Sequence, residues 1–274
     1  MAAIYTTVPD GLTALLEAHL PRPLPVLRRL QFTRFKGGMR PTARIIFASD
    51  SPLTSEQTGQ STPQRNFTVA YIDFGSNMET QLFMYSTLEN GVAATEEERE
   101  TAELQIMAAL DAVRQVSREQ PDNRAYPGGC LVGTLATVTR ETMIKRGVTV
   151  RPRAVFEYEK WLFRVEEVPE FNVALPEGAT WAPATERDCE VVISRTTVPR
   201  QVTQPPYRQR GYAKALASRL FKRSASDYGS DGWVCADVAP ENLGSKGMCK
   251  SLNGRHAWNC SWNIIQLDEE EAKN

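Results

Sequence analysis

The sequence has no run of about 18 apolar residues, so no membrane-spanning helix is expected. It is poor in histidine. With only His19 and His256, multi-histidine metal chemistry is excluded, and a Ser-His-Asp triad could draw on just one of two rings. The five cysteines, Cys130, Cys189, Cys235, Cys249 and Cys260, are odd in number, irregularly spaced and free of any C-x-x-C. They read as reduced thiols, not as a disulfide frame or a zinc site, and no metal is called for. The first residues lack a basic segment followed by an apolar run, so no secretory signal is read and an intracellular, cytoplasmic setting is expected. The sequons at Asn66 and Asn259 are then accidental. A dominant charge is also missing. Lys and Arg number 32 against 33 Asp and Glu, a formal net charge of -1, which argues against a nucleic-acid coat protein while allowing a local basic patch.

What is present is ordinary globular material: 274 residues, 41% hydrophobic and 24% charged, enough for one large or two medium domains without staples. Asp10 is placed to cap a short helix carrying Leu12, Leu15, Leu16 and Leu20, with His19 on the surface of its last turn. Pro25 opens a second helix reaching Phe32. Residues 43–49 read as a strand and 50–66 as a loop. Phe67–Phe74 and Thr80–Ser86 read as a β-hairpin. Thr95 and Glu98 form a capping box for a helix running to about Glu119, with Leu104, Met107, Ala108 and Leu110 on its apolar face. A strand near Cys130–Val132, a helix before Gly147 and strand material over Ala154–Val165 follow. The turn-rich stretch 166–178 is read as a linker between an N-terminal unit, 1–165, and a C-terminal unit, 175–267, with an acidic tail at 268–274.

Chemistry concentrates in Pro205–Leu220. Two prolines stop the preceding chain, and Arg208-x-x-Gly211-x-Ala213 opens an amphipathic helix with Ala213, Leu216, Ala217 and Leu220 on one side. A helix start offers unpaired N–H groups and partial positive charge, and glycine lets a phosphate approach the backbone. From Val191 to Ser226 there are eight basic residues and no acidic one. Such a segment suits a polyanion, although a solvated basic helix would look the same. No recognised RNA or DNA motif accompanies it, so nucleic acid is not the expected partner. A strand over Gly232–Ala239, a short helix from about Leu243 to Leu252, an Asn253-Gly254 stop and strand-like sequence to Leu267 complete the chain.

This order resembles the GNAT superfamily of acyl-CoA-dependent N-acetyltransferases. RQRGYA stands as the pyrophosphate loop, ADVAPEN as the central strand and its exit, and SKGMCKSLNGRHAW as the following helix and last strand. Leu175–Thr196 looks like the first strand and first helix of the same domain. The KWLFRVEEVPE stretch is similar to the two-domain subgroup around glycine N-acyltransferases, in which a degenerate N-terminal copy packs on the catalytic one. The resemblance implies an α/β (α+β) fold of two GNAT-like mixed-sheet lobes. It implies an N-acyltransferase moving an acetyl or other acyl group from acyl-CoA to an amine, with acyl-CoA and the amine acceptor as partners. Arg208, Gln209, Arg210, Gly211, Tyr212 and Ala213 would hold the pyrophosphate, Asn242 the pantetheine arm or the strand exit, and Gly247 and Lys250 the rear of the cleft.

The chain departs from the family at two points. A tyrosine that protonates the leaving thiolate is matched here by Cys249, which could equally be a small core residue. Three strands expected before the pyrophosphate loop have only Pro199–Pro206 to occupy, where about 20–25 residues would be needed. The C-terminal lobe is therefore expected to be shortened and strand Trp233–Ala239 to lie at an open edge. The remaining candidates for general base are Asp237 and Glu241, with a purely structural role for Asp237 as the alternative. His256, Trp258 and Trp262 are read as structural. A catalytically silent acyl-CoA-binding or partner-binding protein is the competing reading, and the acyl acceptor is left open.

Overall fold

The computed structural model describes residues 2–53, 66–76, 78–91, 95–123, 125–175, 177–182, 185–187, 190 and 211–268. Its strands join in one mixed sheet. They are β1 (Ala2–Tyr5), β2 (Ala43–Ser49), β3 (Phe67–Asp73), β4 (Leu82–Ser86), β5 (Gly129–Ala136), β6 (Val150–Pro152), β7 (Tyr158–Arg164), β8 (Trp233–Val238) and β9 (Arg255–Gln266). The nine-stranded order is β1-β2-β3-β4-β5-β9-β7-β8, with β6 also on β9. The helices are α1 (Leu12–Ala18), α2 (Leu24–Phe32), α3 (Glu96–Glu119), α4 (Thr137–Lys145), α5 (Tyr212–Ser224) and α6 (Leu243–Ser251). This is the mixed α/β architecture that the element order pointed to.

The first half follows its sequence closely. β3 is buried along its whole length between β2 and β4, as its β-branched and aromatic run requires. Alternate residues of β2 and β3 point to opposite faces. Ile46, Ala48, Ala70 and Ile72 pack under α3, while Ile45, Phe47, Val69 and Tyr71 pack under α1 and α2. Thr95 caps α3 by accepting from the Glu98 N–H at 3.1 Å, with three glutamates in the first turn favouring the positive helix end. α3 nevertheless buries Ala102, Ile106, Ala109, Leu110, Val113 and Val116 and leaves Leu104 at 54% exposure, so the apolar stripe is rotated from the one expected. Asp10 does not cap α1, because Gly11 holds that position in the left-handed region. His19 is half-buried, edge-on to Phe67 with ring centroids 5.0 Å apart, and not a surface residue.

The two halves were expected as separate lobes touching near 166–178. Instead, strand pairing joins them. β9 lies between β5 and β7, and β7 pairs with β8 through six consecutive residue pairs, Glu159↔Val238 to Arg164↔Trp233. On one face Trp161, Phe163 and Val238 pack with Cys249 and Leu252 around α6, and Phe221 of α5 stacks on Phe163 at 5.2 Å. On the other side, α2 of the first half clamps the entry to β8. Arg28 donates to both Asp231 carboxylate oxygens, at 2.5 and 2.9 Å, and to the Trp233 carbonyl at 2.7 Å. Burial alone would raise the Asp231 pKa, and the Arg28 bonds outweigh it and hold the carboxyl below its usual range. Leu175–Thr196 was expected to supply a strand, yet no strand occurs among its described residues.

β8 ends the sheet and pairs with β7 alone among the described residues. The open edge expected from the shortened middle of the C-terminal half turns on residues 191–210, which lie outside the described residues. The small core beside it depends on close approach at Gly254, where an added Cβ would strike the Phe163 ring and come within 2.9 Å of the Cys249 carbonyl. Gly254→Ala should therefore cost about 1–3 kcal/mol, read as a lower midpoint in thermal or urea unfolding. Gly247→Ala, inside α6 with nothing within 4 Å, should be neutral or raise the midpoint.

Candidate functional site

The start of α5 is the first element of the candidate site. Gly211 is its N-cap, with φ +80° and ψ −2°, a left-handed conformation that glycine adopts without a Cβ penalty. Among the described residues no side chain caps this end, and a Cβ at 211 would meet only the Val173 side chain, at 3.5 Å. The first-turn amides thus belong to a helix of 13 residues whose last turn carries Lys222 and Arg223. Tyr212 donates its hydroxyl proton to the Ala174 carbonyl at 3.4 Å, and Ala213 is exposed. Arg208, Gln209 and Arg210 lie outside the described residues.

The segment after β7 straps α5 down. Ser218 donates to the Pro169 carbonyl at 2.7 Å, and Lys222 pairs with Glu170 at 3.0 Å. As a result α5 buries Ala215 and Ser218, and leaves Leu216 and Leu220 at 47% and 50% exposure. The expected stripe of Ala213, Leu216, Ala217 and Leu220 is therefore only partly used. Ala217 and Phe221 meet the sheet, but nothing among the described residues extends the sheet beyond β8 to cover the two leucines.

Asp237 lies on β8 opposite Lys160 of β7, and their side chains form an ion pair at 2.5 Å. The Lys160 side chain is 2% exposed, and its Nζ also donates to Thr134 Oγ1 at 2.5 Å. Cys260 Sγ lies 3.5 Å from the same Asp237 oxygen. Burial by itself would lower the Lys160 pKa; Cys235, Asp237 and Cys260 push it back above the ordinary lysine value. Burial raises both thiols, Cys260 to about 12. Asp237 is therefore half of a buried ion pair, which matches the structural alternative more closely than a free base.

Glu241 is exposed in the turn after β8, and its carbonyl accepts from the Leu243 N–H at 2.9 Å. Asn242 caps α6, its Oδ1 accepting from the Ser245 N–H at 3.0 Å. Lys246 of α6 pairs with Glu159 of β7 at 2.6 Å and fixes that helix on the sheet. Cys249 is 2% exposed in the small core, and burial raises its pKa, so its thiol does not face solvent. Gly247 and Lys250 are exposed; Lys250 borders an open cleft of about 590 Å³ with Glu167, Asn253, Gly254 and Arg255. His256 is exposed and within 3.0 Å of Asn259 Oδ1. Trp258 and Trp262 are half-buried, the first under Arg22 and the second donating to Thr80 Oγ1 at 3.2 Å.

Sequence reasoning did not single out Lys160 or Thr134. A signal for Lys160 existed, since a lysine inside a strand that continues Trp161-Leu162-Phe163 must find a buried anion. Thr134 carried none, because its φ of +52° arises at a bulge in the β5–β9 pairing. Among the described residues no cluster of three or more His, Cys, Asp or Glu could hold a metal, and no helix is long and apolar enough to cross a membrane.

The ion pair gives a stability prediction. Lys160→Met leaves Asp237 without its partner and should cost about 3–5 kcal/mol. Lys160→Met combined with Asp237→Leu should recover most of that loss in urea unfolding. Equal loss in the single and double variants would show that the charges are not coupled.

The family model described as the acyl-CoA N-acyltransferase verG N-terminal domain matches residues 2–161. No curated protein sequence matches the chain. The X-ray structure of a Drosophila protein, a structural-genomics target, superposes with a TM-score of 0.56 over 94% of this chain and 95% of that one. At 12% identity this is a likeness of fold. The family model covers more than half of the sequence, and on that ground the chain belongs to the acyl-CoA N-acyltransferase verG N-terminal domain family.

Proposed function

We propose that this chain binds acyl-CoA through the start of α5 and transfers the acyl group to an amine. The observation that carries the reading is the left-handed Gly211 at the head of a basic helix, with no side-chain cap among the described residues, in a chain of the acyl-CoA N-acyltransferase verG N-terminal domain family. The amides of Gly211, Tyr212 and Ala213, with Arg208, Gln209 and Arg210 just before them, would receive the pyrophosphate. Asn242, at the exit of β8, would face the pantetheine arm. The amine attacks the thioester carbonyl, an N–C bond forms, the C–S bond breaks, and the amine loses one proton while the CoA sulfur gains one. Much of the rate in such a reaction comes from positioning. Of the sequence candidates, Glu241 is the one facing water and would take the amine proton. With Asp237 held by Lys160 and Cys249 in the core, solvent would protonate the leaving thiolate. Residues 1–165 and 175–267 would be two copies of one fold, a division supported by the repeated strand–helix–strand order of their later parts.

The short stretch Pro199–Pro206, where further strands were expected, favours a second reading, an acyl-CoA-binding protein without turnover. A strand too few beside β8 would remove part of the alignment between thioester and amine, an effect that can be worth about 7–11 kcal/mol of barrier.

CoA should raise the thermal midpoint, and less so at high salt, because phosphate contacts are screened. Gly211→Asp, which places a negative charge at the helix start, should abolish the shift; an equal shift in both proteins would remove the α5 start from the site. A thiol-release assay with acetyl-CoA and a panel of amines then separates the two readings. Release that depends on amine supports transfer, and binding without release supports the silent protein. Turnover is expected to be slow.

A further inference from the structure

Glu89 lies in the 3-10 turn Thr87–Asn90 that leaves β4, and it is 6% exposed. Its Oε1 accepts from Thr139 Oγ1 at 2.8 Å and from the Ser86 N–H at 3.3 Å, while Ser86 Oγ accepts from the Leu88 N–H at 3.3 Å. This reciprocal box does more than finish a turn. Thr139 is in the first turn of α4, directly after β5, so one carboxylate ties the ends of two parallel strands. β4 and β5 pair at Leu82↔Val132, and no further residue pair joins them along β4. The tie therefore stands at the mouth of a wedge between residues 83–86 and 133–136. The same wedge holds Thr134, a β-branched residue in the left-handed region with φ +52°, which receives the Lys160 ammonium.

We propose that Glu89 is a proton-operated latch on this wedge: carrying a proton it stays seated between Ser86 and Thr139 and holds the ends of β4 and β5 together, and on losing the proton it leaves for water and lets the wedge open. The groups facing it are Tyr85 on β4, Arg22 between α1 and α2, and Lys160 on β7, behind which stands Asp237 on β8. His19, at the end of α1, reaches the same place through Asn90, whose Oδ1 accepts from the Tyr85 hydroxyl at 3.1 Å. On α4, Arg140 is occupied by Glu157 at 2.8 Å. Lys160 is committed to Asp237, and burial raises the Tyr85 hydroxyl so that it stays neutral.

Burial is the main influence on the Glu89 carboxyl, pushing it up to about 7, with Thr139, Ser86, Arg22 and Lys160 offsetting only part of that rise. A pKa raised above the carboxyl's usual value of 4.5 means that the closed form binds the proton more tightly than the open one. The latch is thus fully held below about pH 4.5 and loses its hold as pH rises through about 7. None of this depends on acyl-CoA.

Hydrogen exchange of the amides in 82–91 and 133–142, corrected for intrinsic rates, tests the proposal. In the wild-type chain the opening population should be at least about tenfold larger at pH 8.5 than at pH 6, by the linkage above. In Glu89→Gln, which keeps the acceptor oxygen and cannot ionise, the pH dependence should vanish. A wild-type difference below about twofold, or the same dependence in both chains, overturns the latch. A carboxyl ¹³C titration of the wild-type chain gives an independent check. A Glu89 resonance titrating near 7 supports the proposal, and one titrating below 5 overturns it even if the variant fails to fold.

Discussion

A lysine ammonium buried on the strand next to the end of the sheet sets the terms for the second half of this protein. Lys160 is withdrawn from water on β7, and a buried charge of that kind is tolerated only when paired and hydrogen-bonded. Asp237 on β8 supplies the opposite charge and Thr134 on β5 an acceptor oxygen. One side chain therefore makes β5, β7 and β8 depend on each other. The same pairing explains why the halves are not independent bodies. β9 comes from the end of the chain, yet it lies between β5 and β7 of the first half.

The second half is thin. Its core is a small cluster around Trp161, Phe163, Val238, Cys249 and Leu252, and two of these come from the first half. Strand donation, the Arg28–Asp231 clamp and the strap along α5 hold it to the rest of the sheet. The cost is visible at the surface, where Leu216, Leu220 and the free edge of β8 are left without cover by the described residues. An uncovered strand edge is an aggregation liability, and Asp237, a charge turned inward, is one of the devices that blunt such an edge.

Much of the first half was legible because local rules decided it. β2 begins and ends where its apolar run does, α3 runs from the Thr95 cap to Glu119, and Asn253 and Gly254 stop α6. The failures have physical causes. Asp10 lost the cap of α1 because the chain turns through Gly11 in a left-handed conformation that puts no side chain at the cap. Leu104 looked like core because leucines usually are, but the α3 face that meets the sheet is set by Ile106, Leu110 and Val113, one helical step away. At the candidate site, the glycine at 211 was readable from its place before an amphipathic helix. The engagement of Asp237 was not, since its partner lies 77 residues earlier. The Ser86–Glu89 box has the Ser-x-x-Glu spacing of a helix start, but it lies at the end of strand sequence and begins only a short 3-10 turn.

The sequence by itself determined most elements of the first half, the glycine that begins α5 and the shortage of residues before it, because these are properties of neighbouring positions. Only the tertiary structure decided that β9 enters the sheet between β5 and β7, that Lys160 meets Asp237 and that Glu89 reaches Thr139. Each of these joins residues far apart in the chain. Whether a buried charge becomes a partner or a liability depends on what packs against it, which no local pattern records.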